Sequence, residues 1–516
     1  MTFDSQIWSE FEIKAKTSFP KRYAHFDRPF KIDLALSELK SLLQDSSGRG
    51  IARHSFLPFL KIILKTPRFR YEEELSAYAL KTKERPISFA SHFDALIISY
   101  FDLLLKRRYQ DFIRSKGFSD SVLAYRDDLN GLCNIQFAKE IFEQVRHRSK
   151  PKDLYTAIGF DIKGYFDSIP HEELKKQWCT VLEVPKLDAN TFAIFKTLTA
   201  YSYTNSDSLK KHFNYSRVPK GKCLLDVMPE IITEASRRHD IFNYLRSRKL
   251  IAQNKAILKI TDPDHPLGFG ELPIGIPQGS PISATLSNVY LLQFDMHMHN
   301  FCNNMNCIYR RYCDDILIVC KTKDKAYLHN RLCQQIDFHG LTIQNKKTEI
   351  IDFRFIDNKL IAFDGNPKAI SGRRKKLQYL GFEFDGQRVY LRPGSLSTYF
   401  RKMKAGIRNT LIKAYGKKSQ EPKLLTKDLF ESYSHTGRNN FVAYAYRAAS
   451  INYGKGRRIK QGFDSPQIRN QLSRHFQILL NEIKQENEQR HALKKKEVIY
   501  KLKLGKKVKM PAKRLT

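Results

Sequence analysis

Acidic residues are scarce in this chain of 516: 53 Asp and Glu stand against 90 Lys and Arg, a formal net charge of +37. The excess is spread along the chain, and a field of that sign attracts phosphate polymers or anionic membranes. Cysteine is sparse too. Eight residues, none in a C-x-x-C pair, exclude a disulfide scaffold. Cys302, Cys307, Cys313 and Cys320 cluster loosely, but no His–His or Cys–Cys pair completes a zinc pattern, so they read as reduced thiols of a cytosolic protein. No apolar run approaches the ~18 residues of a membrane span. The best stretch, 95–105, is broken by Asp102, and MTFDSQIWSE is not a basic-then-apolar leader. These absences predict a cytoplasmic protein without a membrane partner. Internal repeats and long low-complexity tracts are absent as well.

What is present is enough apolar sequence, 41%, to bury a large core. At about 150 residues per domain, the length predicts about three domains or subdomains. The first eighty residues read as helices mixed with loops, with a flexible break at Gly48 and Gly50. Apolar residues at helical spacing (Leu96, Ile97, Tyr100, Leu103, Leu104) predict a helix over 93–117. A buried strand is expected over 155–160, running into Asp161 and a turn at Lys163-Gly164. A helix over 283–294 follows the loop IPQGSP. Two short strands flank Cys-Asp-Asp within 307–321, a helix spans 325–338, and strands follow near 348–355 and 377–384. From about 395 the chain turns helical and basic, and 491–516 hold ten Lys and Arg against one Glu, a net of +9. The order predicts an α+β core with helices at both ends.

Three carboxylates stand out. Asp161 ends an apolar strand in AIGFDIKGYFDSI, and Asp314 and Asp315 centre YRRYCDDILIVC, a hairpin pattern. Adjacent carboxylates at a hairpin tip repel each other. A hard divalent cation removes that cost, and Mg²⁺ takes carboxylate oxygens together with substrate phosphates. Two such ions ~3.5–4 Å apart activate an attacking hydroxyl and neutralise a leaving oxygen. That chemistry requires Asp161 on a strand beside the hairpin. The competing reading is a solvated Asp-Asp turn and an unrelated strand-end Asp.

FDIKGYFDSIPH, IPQGSPISATLSNVYL and YRRYCDDILIV resemble three successive signature blocks of reverse transcriptases, in order and in rough spacing. RPISFASHFDALI (85–97) and VLAYR (122–126) resemble two blocks upstream, and LTIQNKKTEI and LQYLGFEF two blocks downstream. The resemblance covers about residues 80–390. It runs to bacterial enzymes, closest to the abortive-infection and defence-associated group. It implies a right-hand polymerase: fingers and N-terminal region over 1–150, a palm with a small antiparallel sheet over 151–394 with a fingers insertion around 170–270, and a helical basic thumb and tail over 395–516. It further implies RNA-directed DNA synthesis. Asp161, Asp314 and Asp315 match the metal-binding triad, with two Mg²⁺ ions (Mn²⁺ as the alternative). Phe166 matches a steric gate against ribonucleotides, Gln278 a contact to the incoming dNTP, and Arg85 a grip on its triphosphate. Lys347 matches a lysine near the leaving pyrophosphate.

Basic clusters complete the reading. Arg401, Lys404 and Arg408 lie at helical spacings, Arg457 and Arg458 lie in GKGRRIK, and RRKK spans 373–376. Each alone fits a solvated face; jointly they suit a nucleic-acid track whose binding is salt-dependent. The resemblance implies an RNA template, a noncoding RNA among the expected ones, a cDNA product and a homo-oligomer. Two alternatives stay open: an intron- or retron-type reverse transcriptase, and an RNA-binding splicing or scaffold protein with a vestigial polymerase site.

Overall fold

The computed structural model describes residues 3–72, 77–228, 237–254, 257–260, 270–367, 369–370, 372–416, 426–454 and 458–503. The chain forms two compact units. One comprises 1–128, 160–318 and 326–348; the other comprises 129–159, 319–325 and 349–516. The architecture is mixed helix and small sheets, as a right-hand polymerase requires. No helix among the described residues is long and apolar enough to cross a membrane.

The first unit is organised around helix His92–Ser115, fifteen of whose twenty-four residues are buried. Ser91 caps it by accepting from the Asp94 N–H at 3.4 Å. Helix Ser5–Ser18 packs Trp8, Phe11 and Ala15 inward, spacings of three and four that keep one face apolar. The expectation of helices and loops over the first eighty residues is corrected here. Strands Phe59–Glu72 and Ala77–Phe89 form a long antiparallel hairpin, from Leu60 opposite Phe89 to Glu72 opposite Ala77. Lysines and arginines interrupt the apolar alternation of these strands, and cross-strand pairing outweighs that local pattern. Strand Ser202–Asn205 runs parallel to the first of them, Phe59 opposite Tyr203. Beneath lies a core of Phe26, Leu57, Leu60, Leu209, Leu224, Met228, Ile241 and Leu245.

Two buried polar groups stitch this region. The Asp94 carboxylate accepts from the Leu57 N–H at 2.9 Å, contacts His54 Nε2 at 2.8 Å and pairs with Arg238. Burial alone would raise its pKa, but Arg238 and His54 bring it down to about 2. His25 is fully buried, and its Nε2 has no hydrogen-bond partner. Burial pushes its pKa down to about 4. A base held neutral in the fold stabilises it above the unfolded-state value of ~6.5, and that contribution is lost as pH falls towards the folded value. Acidification from pH 6.5 to 4 is therefore expected to remove up to ~3 kcal/mol through His25, before the Asp94 contribution begins to fade. Urea unfolding at both pH values checks this: His25→Gln should flatten the difference, and an unchanged difference would refute the assignment.

The same unit contains helices Ser283–Tyr290 and Leu292–Asn304, which replace the single helix expected over 283–294. The backbone breaks at Leu291. It also holds strand Ile308–Tyr312, the start of Asp315–Lys321 and the end of Tyr155–Asp161.

The second unit pairs strand Glu349–Ile356 antiparallel with residues 156–159 and with strand Lys359–Asp364. The latter hairpin closes through Asp357 and Asn358, both at positive φ, a turn whose twist matches the flanking strands. Asp352 is buried and accepts from the Thr156 hydroxyl at 2.7 Å and from Lys325 Nζ at 2.8 Å. Strands Leu377–Tyr379, Phe382–Phe384 and Val389–Leu391 form a second small sheet. Beyond it, helix Pro393–Ala414 buries Tyr399, Met403, Ile407 and Leu411 at four-residue spacing against Leu429, Val442 and Leu479. Helix His475–Lys503 closes the described part of the unit.

Candidate active site

Backbone hydrogen bonds, not sequence proximity, bring the end of the Asp161 strand beside the Asp314–Asp315 turn. Strand Tyr155–Asp161 is hydrogen-bonded to its neighbour Asp315–Lys321. Just past Asp161, the Ile162 N–H donates to the Asp314 carbonyl at 3.1 Å. From the other side, the Gln344 N–H donates to the Asp161 carbonyl at 2.8 Å and the Lys163 N–H to the Thr342 carbonyl at 2.8 Å. This ladder carries Lys347 to Asp161: Lys347 Nζ forms an ion pair with Asp161 Oδ1. Residues more than 150 positions apart in sequence thus meet at one edge.

Cys313 and Asp314 are the two loop residues of the hairpin, and Cys313 takes φ +59. A positive φ at the first loop position suits a tight hairpin turn. Its thiol is buried, which pushes its pKa up to about 12, and it accepts from the Tyr125 hydroxyl at 3.3 Å. Behind the turn, Arg311 and Asp295 are both 0% exposed and pair through two contacts, Nε–Oδ1 at 2.7 Å and Nη2–Oδ2 at 2.5 Å. Asp295 also accepts from the Tyr309 hydroxyl at 2.6 Å. Burial alone would lower the Arg311 pKa, and Asp295 holds it above its usual range. Sequence reasoning passed over Arg311, Asp295, Asn288 and Tyr125. A charged residue among the apolar positions of a short strand was the available signal for Arg311.

The other candidates of this unit are linked through loop backbone. The Ile276 N–H donates to the Phe166 carbonyl at 2.8 Å, and the Ser88 N–H to the Gln278 carbonyl at 2.7 Å. Gly279, at φ +106, allows this approach: a Cβ there would lie 2.7 Å from Ile87 Cγ2 and 2.8 Å from the Ser88 carbonyl oxygen. Phe166 and Gln278 are half-buried, so each retains an accessible surface. Phe166 follows Tyr165, which is buried and locked by donating to the Ser287 carbonyl. Arg85 is exposed on strand Ala77–Phe89, three residues from Ser88, or ~10 Å along the strand.

In the second unit, Arg401 and Arg408 are exposed on helix Pro393–Ala414, on the face away from its buried stripe. Lys404 is already paired with Glu482 at 2.5 Å, which offsets its charge. Arg458 is exposed beside strand Lys460–Gln461, and Arg457 lies outside the described residues.

Among the described residues no group of three or more His, Cys, Asp and Glu side chains forms a ready metal cage. The donor set nevertheless fits magnesium. Carboxylates are the hard oxygen ligands it prefers, and it is bound through one or two of them with substrate phosphates completing the shell. The Lys347 ammonium on Asp161 shows that this carboxylate accepts a cation partner in place.

Comparison with solved structures finds weak likenesses to telomerases. Apo telomerase from Candida tropicalis is 12% identical with a TM-score of 0.35, covering 83% of this chain and 61% of that one. Telomerase from Candida albicans in complex with a TWJ fragment of telomeric RNA is 12% identical with a TM-score of 0.36, covering 93% and 72%. The chain thus spans about three fifths of the first of these telomerases. No curated protein matches it. Residues 264–384, which include the PQGS loop and the Asp314–Asp315 turn, match the family described as reverse transcriptase (RNA-dependent DNA polymerase).

Proposed function

We propose that this chain copies RNA into cDNA by two-metal nucleotidyl transfer, and that it does so in bacterial antiviral defence with a noncoding RNA as template or scaffold. The observation that supports the chemistry best is the adjacency of the Asp161 strand end to the Asp314–Asp315 turn, joined by the Ile162–Asp314 backbone hydrogen bond. In this reading Asp161, Asp314 and Asp315 hold the divalent ions. When bound, such ions lower the pKa of the attacking 3′-hydroxyl and neutralise the leaving oxygen. Lys347 exchanges its partner from the Asp161 carboxylate to a phosphate oxygen. Arg85 presents a planar guanidinium suited to bidentate phosphate contact. Gln278 contacts the nucleotide. The defence role rests on the sequence resemblance, the cytoplasmic setting on the sparse cysteines and short apolar runs of the sequence, and homo-oligomerisation is part of the same proposal.

Phe166 is assigned the sugar selection, its half-buried ring filling the space of a 2′-hydroxyl. Phe166→Ala is expected to cut the preference for dNTP over rNTP on the order of ten- to a hundredfold, since a pocket rejects one added group by that much. Single-nucleotide incorporation with each substrate reads the ratio, and an unmoved ratio removes Phe166 from this role. The defence proposal has its own test. The protein is purified from its native host, and bound RNA and DNA are sequenced separately. Recovery of one specific RNA with complementary DNA supports it. Recovery of neither overturns it.

A further inference from the structure

Two polar contacts hold the residue that precedes Asp314 from different directions, and both lead back to one side chain. Arg311 Nη1 donates to the Cys313 carbonyl at 3.0 Å, while the Tyr125 hydroxyl donates to the Cys313 sulfur at 3.3 Å. Asn288 connects them. Its Oδ1 accepts from Arg311 Nη1 at 3.2 Å, and its Nδ2 donates to the carbonyl of Ala124, next to Tyr125, at 2.9 Å. A third tie runs through backbone, from the Leu123 N–H to the Arg311 carbonyl at 2.9 Å. Asn288 is 1% exposed, so both of its bonds are made away from water, where a lost partner is costly.

Tyr125 is the odd member. It is 41% exposed and sits at φ +61, a backbone setting that a bulky side chain rarely adopts. Its hydroxyl bonds a thiol, a weak acceptor. Strain held for a weak bond is poorly explained by stability, and such strain gathers at functional sites. We infer that Tyr125 is a positioning residue: with Asn288 and Arg311 it braces Cys313 from both sides and so fixes the setting of the Asp314 and Asp315 carboxylates. The inference rests on the polymerase reading of those carboxylates. Two of the three ties come from segment 122–126, so that segment sets the turn and does not merely pack near it.

A double-mutant cycle tests this in the full-length protein, using Tyr125→Phe, Cys313→Ala and the pair. Tyr125→Phe keeps the ring and removes only the hydroxyl. Its expected effect is a kcat lowered ~5- to 10-fold with the KM for dNTP unchanged, the pattern of a lost transition-state alignment. Because one bond is removed either way, the double variant should be no slower than the slower single variant. A second readout needs no turnover. Iodoacetamide labelling, mapped by peptide mass, should modify Cys313 several-fold faster in Tyr125→Phe, while the fully buried Cys302 and Cys320 report an intact fold by staying unmodified. Additive effects, a rise in KM alone, or unchanged Cys313 labelling overturns the brace. Wild-type protein that incorporates no nucleotide brings down the polymerase reading and this assignment with it. An active wild type with an unaffected Tyr125→Phe overturns the assignment alone.

Discussion

Asp315→Asn is expected to lower nucleotide incorporation by about three orders of magnitude while leaving fold and RNA affinity in place. The carboxylate opens strand Asp315–Lys321 at an exposed position, so an isosteric amide disturbs no core packing. What changes is the charge. An amide is a poor ligand for a hard cation beside the carboxylate of Asp314. The loss of several kcal/mol of charge stabilisation corresponds to about a thousandfold at 1.36 kcal/mol per tenfold. Primer extension on an RNA template measures the rate, and filter binding at two salt concentrations measures RNA affinity. Retention of more than about a tenth of the rate would contradict the catalytic assignment. The outcome also separates the enzyme from a scaffold protein with a vestigial site, whose function should survive the substitution.

The second large effect concerns stability. Asp295→Ala leaves the Arg311 guanidinium charged, fully buried and without its anion, and a buried pair broken this way typically costs ~3–5 kcal/mol. It also frees the Tyr309 hydroxyl, which donates to the same carboxylate at 2.6 Å. Replacing both members with apolar residues, Arg311→Met with Asp295→Leu, is expected to recover most of the stability, because desolvating two charges nearly cancels their attraction. Activity should not return with it, since the Arg311 contact to the Cys313 carbonyl is gone. Denaturant midpoints for the single and double variants decide the matter. A single variant within ~1 kcal/mol of wild type would mean that the pair is not carrying the turn.

The elements with strong local patterns are legible in the amino-acid sequence. The helix expected over 93–117 spans His92–Ser115, that over 325–338 spans Lys325–Phe338, and the strand expected over 155–160 spans Tyr155–Asp161. Their apolar spacing is dictated by burial on one or both faces, so the pattern is local. The hairpin Phe59–Glu72 with Ala77–Phe89 is not legible in the same way, because its strands are stabilised by pairing with each other and by the parallel contact to Ser202–Asn205. That third strand lies more than a hundred residues away in sequence.

By itself the sequence determined the chemistry on offer: a basic chain, three acidic side chains in strand-end and hairpin settings, and the residue types around them. Which of these side chains share a space was decided only by tertiary structure. Nothing local announces that Lys347 meets Asp161, that Asn288 joins Arg311 to the segment before Tyr125, or that Gly279 lets its loop lie against Ser88. Such contacts follow from backbone hydrogen bonds between distant strands and loops, and their geometry exists only once the chain has closed on itself.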